Sequence, residues 1–297
     1  MESVHRIQGR DLRESDIEAI RSLIAGNPVW HRTRLSLELT RAWNWRSASG
    51  RFQDMAARSL LLKLERRGAI ALPSRRGAHH PRRASAPQAA LPAAAPIAEP
   101  LAGLLPLRVG MAPPRHPDRQ IFSDYLAQHH YLGYRGPVGE SLAYLVRDCQ
   151  GRDLGCVLFG AAAWKTKPRD AWIGWDDSTR ARRLAFVANN HRFLILPWVR
   201  VPHLASHILG RLCRRLAEDW QTAYGHPVHL LETFVERGRF KGTCYRAANW
   251  TCVGQTQGRS RQDRVRELRV PVKDIYLYPL SSQCREQLCH VPTPRRA

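Results

Sequence analysis

Residues Leu230 to Gly258 read LLETFVERGRFKGTCYRAANWTCVGQTQG. With the two residues before it, the opening VHLLETFV is a short apolar run closed by charge and glycine, which predicts a buried strand. GTCYRAAN predicts a short helix after a glycine turn, and WTCVGQT a further strand. Polar and aromatic side chains crowd behind the apolar strand, the make-up of a segment that lines a site.

Upstream of this strand, ASHILGRLCRRLAEDWQTAYG places Ile208, Leu212, Leu216 and Trp220 on one face at helical spacing. Before it, FLILPWVRV reads as a buried strand following a polar stretch, 165 to 192. Glu140 to Asp148 and Leu154 to Trp164 are apolar runs separated by CQGR, which predicts a hairpin. Downstream, VKDIYLYPL reads as a closing strand and residues 281–297 as a flexible tail. The expectation is a mixed α/β domain over 108–280, and its order of elements is similar in topology to the N-acetyltransferase superfamily. In that superfamily a glycine-rich loop before the long helix wraps the acetyl-CoA pyrophosphate. The loop here, VPHLAS, has no glycine, so its backbone cannot approach a pyrophosphate in that way. Tyr245 falls where the superfamily often has a tyrosine general acid; a tyrosine packing the short helix onto the sheet, hydroxyl satisfied, is the alternative.

Residues 81–107 are rich in alanine and proline, without helical stripe or alternation, and read as a linker. Residues 1–80 then form a separate helical domain, with helices in SDIEAIRSLIAG, HRTRLSLELTRAWNW and RFQDMAARSLLLKLERRG. Leu61, Leu64, Glu65, Gly68 and Ile70 fit L-x-x-L-E-x-x-G-x-I, the end of the recognition helix in many winged helix-turn-helix domains, with ALPSRRG as the wing. From 51 to 76, seven cations against Asp54 and Glu65 leave a net +5, which suits a helix facing phosphates, with Arg51, Arg58, Arg66, Arg75 and Arg76 as contacts. A protein-interaction platform, or the ordinary solvated face of a small helical domain, would show similar charge.

Forty-seven lysines and arginines against 25 acidic residues give the 297-residue chain a formal charge of +22. Such an excess favours a polyanionic partner, because each cation set on a phosphate releases condensed counterions. A general arginine bias of the source genome is the alternative. No stretch of about 18 uncharged apolar residues exists to cross a membrane, and the N-terminus lacks a signal-peptide core, so the expected location is cytoplasmic. Seven scattered cysteines are expected as reduced thiols, and Cys284, Cys289 and His290 lack the paired spacing of a zinc ribbon.

Carboxylates are scarce, which draws attention to Asp170, Asp176, Asp177, Glu232 and Glu236. Glu232 ends an apolar strand, where side chains on open sheets often meet a ligand crevice. Three roles are open for it. It binds a divalent metal such as Mg²⁺ with Asp170 for phosphodiester hydrolysis; it acts as general base beside His129 or His130; or it forms a structural ion pair with Arg169 or Arg239. Trp172, Trp175, Phe240, Tyr245 and Trp250 suit stacking on unpaired bases, with Asn190, Asn249, Arg239, Lys241, Arg246, Arg259 and Arg261 around them for polar and backbone contacts. Tryptophans placed in the core are the alternative for several of these.

Beyond the quoted stretch, HHYLG at His129, RDAWIGW at Arg169, NNHRFLILP at Asn189 and LAS at Leu204 occur in an order that resembles the Druantia anti-phage defence protein A family. The resemblance spans most of residues 120–280. It implies a role in phage defence or beside transposons, with a helicase or operon-encoded partner, and carries no settled reaction. The combined expectation is a DNA-associated protein, a sensor or a DNA-processing enzyme, with a degenerate N-acetyltransferase-like acyltransferase as the alternative.

Overall fold

The computed structural model describes residues 5–7, 10–46, 50, 52–74, 95–258 and 270–290. Arg51, Arg75, Arg76, Arg259 and Arg261 lie outside them, as do the last three residues of the expected wing and the first part of the expected linker. The chain divides into two compact units, 1–89 and 90–297.

The first unit opens with an antiparallel hairpin that the sequence did not announce, β1 (His5–Ile7) and β2 (Arg10–Leu12). Helices α1 (Glu14–Ala25), α2 (Arg32–Ala42) and α3 (Asp54–Arg66) follow. Arg13 precedes α1 as its cap residue, and the Asp16 carboxylate accepts from the Arg13 amide. The core is built from the apolar stripes: Ile17 and Ile20 of α1, Leu35 and Leu39 of α2, and Leu60, Leu61 and Leu64 of α3. Gly68 ends α3 with φ +71°, a conformation that costs other residues about 1–2 kcal/mol, and Ile70 returns into the core. Glu65 pairs with Arg32 at 2.9 Å, so the acidic position of the motif ties α3 to α2.

The second unit is a seven-stranded mixed sheet: β3 (Arg108–Met111), β4 (Ser141–Arg147), β5 (Asp153–Ala161), β6 (Val187–Ile195), β7 (Leu230–Glu236), β8 (Thr251–Gln255) and β9 (Lys273–Pro279). The spatial order is β3-β4-β5-β6-β7-β9-β8, antiparallel throughout except between β6 and β7. A parallel pair needs a crossover. That crossover is α7 (Leu204–Tyr224), whose Ile208, Leu212, Leu216 and Trp220 pack against one sheet face with Leu231 and Tyr276.

The alternation of strands then decides which residues share a face. Leu230, Ile275 and Leu277 turn to the opposite face, where α5 (Lys167–Ile173) and α9 (Cys284–Cys289) cover them, with α6 (Asp177–Arg183) beside α9. Helix α4 (Pro117–His129) packs Phe122 and Leu126 into the main core, and α8 (Thr243–Ala247) follows β7.

Three expectations are corrected. The expected linker contributes to the α/β core from Ile97 onward: Ile97, Leu104 and Leu107 are buried, and the Ile97 amide bonds to the Trp198 carbonyl at 2.8 Å, because these few apolar residues find the sheet. The stretch 165–192 holds two short helices, and β6 begins at Val187 rather than Phe193, since its polar Asn189 and Asn190 are accommodated by side-chain hydrogen bonding and a cleft. Part of the expected tail is α9, which buries Cys284 and Leu288 and accepts the Trp175 indole N–H at the Leu288 carbonyl, 3.0 Å away. Among the described residues no helix is long and apolar enough to cross a membrane.

Candidate functional site

Strands β6 and β7 pair only at Val187 with Leu230, Ala188 with Leu231 and Asn189 with Glu232. Beyond that point both continue without pairing to each other, so the sheet opens into a wedge at their carboxyl ends. A bulge contributes to this. Leu158 pairs with Arg192 and Phe159 with Asn190, leaving His191 as the extra residue of β6. The His191 ring takes up the space beside Gly160, where a Cβ would lie 2.8 Å from it.

The wedge holds a cavity of about 950 Å³. Its walls are Asn190 to Ile195 of β6 and Thr233 to Val235 of β7, closed by the segments around Tyr131, Lys241 and Lys273, with Ala205 from the first turn of α7. Crevices at the carboxyl ends of parallel strands are where open α/β sheets usually take ligands.

The lining is one-signed. Arg192, Arg239, Lys241 and Lys273 contribute, and no aspartate or glutamate lines the cavity among the described residues. Arg192 is held by backbone carbonyls, its Nε donating to Gly133 at 3.1 Å and Nη1 to His191 at 2.7 Å. Burial depresses its guanidinium below the usual range, with no carboxylate to oppose the effect. Burial, and then the Arg192 charge, push His130 down to about 4. His130 Nδ1 accepts from the Leu132 amide at 3.2 Å, which leaves Nε2 as the protonated nitrogen of the neutral ring and makes it a donor, not a base.

An aromatic lip adjoins these cations. Tyr131 and Phe240 meet edge to face at 5.3 Å, and Arg239 lies over the Tyr131 ring at 4.8 Å. They remain 37% and 45% exposed.

The floor is a closed hydrogen-bond network. Tyr245 donates to Asn190 Oδ1 at 2.6 Å, Asn190 Nδ2 donates to the carbonyls of Leu158 and Arg192, and Thr233 donates to the Asn190 carbonyl. Tyr245 is buried and its hydroxyl is pushed well above the usual range by desolvation, so its proton stays in the network.

Behind the floor lies a buried chain of charge. Glu232 is fully buried, accepting from the Ala163 amide at 2.7 Å and from Arg169 Nη1 at 2.9 Å. Arg169 also donates to Asp170 at 2.9 and 2.7 Å, and Arg180 connects Asp170 to Asp177 at 3.2 and 2.8 Å. Burial raises the Glu232 carboxyl, opposed chiefly by Arg169. A strand's period of two turns Glu232, like Leu230, toward α5 rather than toward α7. One of the roles open to Glu232 pairs it with Asp170 on a metal, but the Arg169 guanidinium holds both carboxylates, the geometry of the ion-pair role. The donor set does not fit a divalent ion such as Mg²⁺, and no cluster of three metal-ligating side chains occurs among the described residues.

Of the residues singled out from sequence, the cavity brings together His129, His130, Asn190, Arg239, Phe240, Lys241 and Tyr245. Trp175 and Trp250 are buried in the core and present no free face for a base. Asn249 adopts φ +63° in the turn after α8, a conformation asparagine tolerates. Arg58 pairs with Asp54 at 2.8 Å, while Arg66 is exposed at the end of α3. Sequence reasoning missed Arg192, Lys273 and Tyr131. Arg192 and Tyr131 lie inside the NNHRFLILP and HHYLG blocks, and a charged residue at the head of an apolar strand was the available signal.

The family model of the Druantia protein DruA matches residues 63–269. The chain belongs to the Druantia protein DruA family. That match covers the cavity apart from its Val270 to Lys273 edge, together with the buried charge chain, and leaves most of the first unit outside. No curated protein matches the chain. Among solved structures, a mutant of the spermidine N-acetyltransferase SpeG from Vibrio cholerae is similar at 11% identity and TM-score 0.40, over 60% of this chain and 95% of that one. The same enzyme in complex with CoA and spermine is similar at 10% identity and TM-score 0.37, over 58% of this chain and 92% of that one. Likenesses this low carry nothing about the activity of this DruA family member.

Proposed function

We propose that this DruA family member is a phage-defence protein that engages nucleic acid through the cleft between β6 and β7. The observation that carries the proposal is the lining itself: four cations, no carboxylate among the described residues, and an exposed aromatic pair at Tyr131 and Phe240. Cations neutralise phosphates and release counterions, and aromatic rings stack on bases at about 1–3 kcal/mol each. The formal charge of +22 supports the same partner, and family membership supports the defence role.

The first unit supplies a second contact in this proposal. Lys63, Arg66 and Arg67 are exposed at the end of α3, on a helix whose terminal motif is that of a winged helix-turn-helix, so α3 lies on duplex phosphates. The buried carboxylates favour recognition over metal-dependent cleavage, since Asp170 and Glu232 are neutralised by arginine. Catalysis on a bound strand belongs to a partner such as a helicase in this reading.

Electrophoretic and fluorescence binding of the full chain to duplex and single-stranded DNA over a salt series tests the proposal. Salt-sensitive binding that weakens when Arg239 and Lys241 are both changed to glutamine is the expected result. No binding at low salt would refute it, and saturable binding of acetyl-CoA in its place would favour the acyltransferase alternative.

A further inference from the structure

We propose that the cavity receives a single unpaired nucleotide, base and phosphate together, rather than the side of a duplex. This inference rests on the nucleic-acid reading above and names the ligand of that same site.

The volume of about 950 Å³ lies at the upper end of the roughly 300–1,000 Å³ typical of small-ligand pockets, so the space is sized for a discrete ligand and not for a helix. Arg192 has its Nε and Nη1 fixed by the Gly133 and His191 carbonyls, and Nη2 has no partner among the described residues. A desolvated guanidinium with a donor left over is stabilised by an anion, and a phosphate accepts from it directly. Lys241 and Lys273 line the same space, and neither forms an ion pair among the described residues. These three place positive charge on one ligand group.

The second half of the ligand is set by the rings. Tyr131 and Phe240 line the cavity, but the His130 ring stacks on Tyr131 at 4.9 Å and Arg239 lies over it at 4.8 Å, so Phe240, 45% exposed, is the ring left open to a base. A base inside a duplex is stacked on its neighbours and shows only its edges, so rings of this kind are used by a base that has left the stack. A flipped nucleotide, a strand end and a free nucleotide share this chemistry.

The test uses the full chain with three probes: a labelled blunt DNA hairpin, the same hairpin with a short unpaired tail, and free dAMP as competitor. Wild type is compared with Phe240→Ala and Lys241→Gln, both at exposed positions, with circular dichroism to verify folding. The expected result is that the tailed hairpin binds about ten-fold more tightly than the blunt one, the order of one stacked base. Each variant should collapse that preference, and excess dAMP should compete for the tailed probe. Equal binding of blunt and tailed hairpins, or a tail preference untouched by both variants, would overturn the inference and leave DNA binding standing. Binding of dAMP that needs Lys241, with no DNA bound, would support a nucleotide pocket and remove the DNA reading. Failure of all three probes would overturn both.

Discussion

Arg169 Nη1 lies 2.9 Å from Glu232 Oε2, and neither side chain is exposed to solvent. The same nitrogen donates to the Ala163 carbonyl at 2.7 Å, while the Ala163 amide donates back to Glu232 Oε1. Since Ala163 lines the cavity, this closed loop fixes part of the cavity wall to β7. Of the three roles open to Glu232, the geometry is that of the structural ion pair with Arg169, which positions backbone.

Arg169→Met should therefore be a folding defect. It leaves Glu232 buried without its cation and Asp170 with Arg180 alone, and removal of one partner from a buried pair costs about 3–5 kcal/mol. Glu232→Gln keeps an acceptor for Arg169 or Ala163 and should cost about 1–3 kcal/mol. Urea unfolding measures both. A Glu232→Gln protein of unchanged stability that loses all function would indicate a catalytic carboxylate instead.

Tyr245→Phe removes the 2.6 Å bond to Asn190 Oδ1 and leaves a buried acceptor unsatisfied. The expected loss is about 1–3 kcal/mol of stability with DNA affinity retained in the folded fraction. Thermal melts paired with binding at low temperature separate this from a role as general acid, which would leave the melt unchanged.

His130 gives a pH dependence of known sign. Its folded value of about 4 lies below the roughly 6.5 of an unfolded histidine, so the unfolded chain takes up the proton first as pH falls. The stability it contributes is complete above pH about 6.5 and is lost as pH drops toward about 4. An anion in the cavity offsets the Arg192 charge and moves the midpoint upward. NMR titration of the His130 ring, with and without an unpaired oligonucleotide, reads both effects; a midpoint near 6.5 in the free protein would contradict the burial argument.

Leu288→Ala should cost about 2–5 kcal/mol, the range for truncating a fully buried leucine, because α9 closes the second core cluster over Trp175 and Leu277. Tryptophan fluorescence during denaturant unfolding is the measurement. A solvated tail at this position would show no change.

Much of the architecture follows from local pattern. The stripe of Ile208, Leu212, Leu216 and Trp220 dictates α7 and its buried face, the apolar runs on either side of CQGR dictate the β4-β5 hairpin, and Gly68 dictates the end of α3, because periodicity and positive φ are properties of neighbouring residues. The blocks from HHYLG to the Leu230 to Gly258 stretch likewise carry family membership in the sequence alone. Tertiary structure decided the rest. Whether Glu232 faced a crevice or a helix depended on strand phase and on Arg169, which sits 63 residues away in sequence. Whether Trp175 stacked on a ligand or on α9 depended on where residues 284–289 returned to the sheet. The cavity was the least legible feature: it forms where pairing between β6 and β7 stops, and it collects Tyr131, Arg192, Lys241 and Lys273 from separate segments. Charges so far apart in sequence reveal their common sign as a site only when the fold brings them around one space.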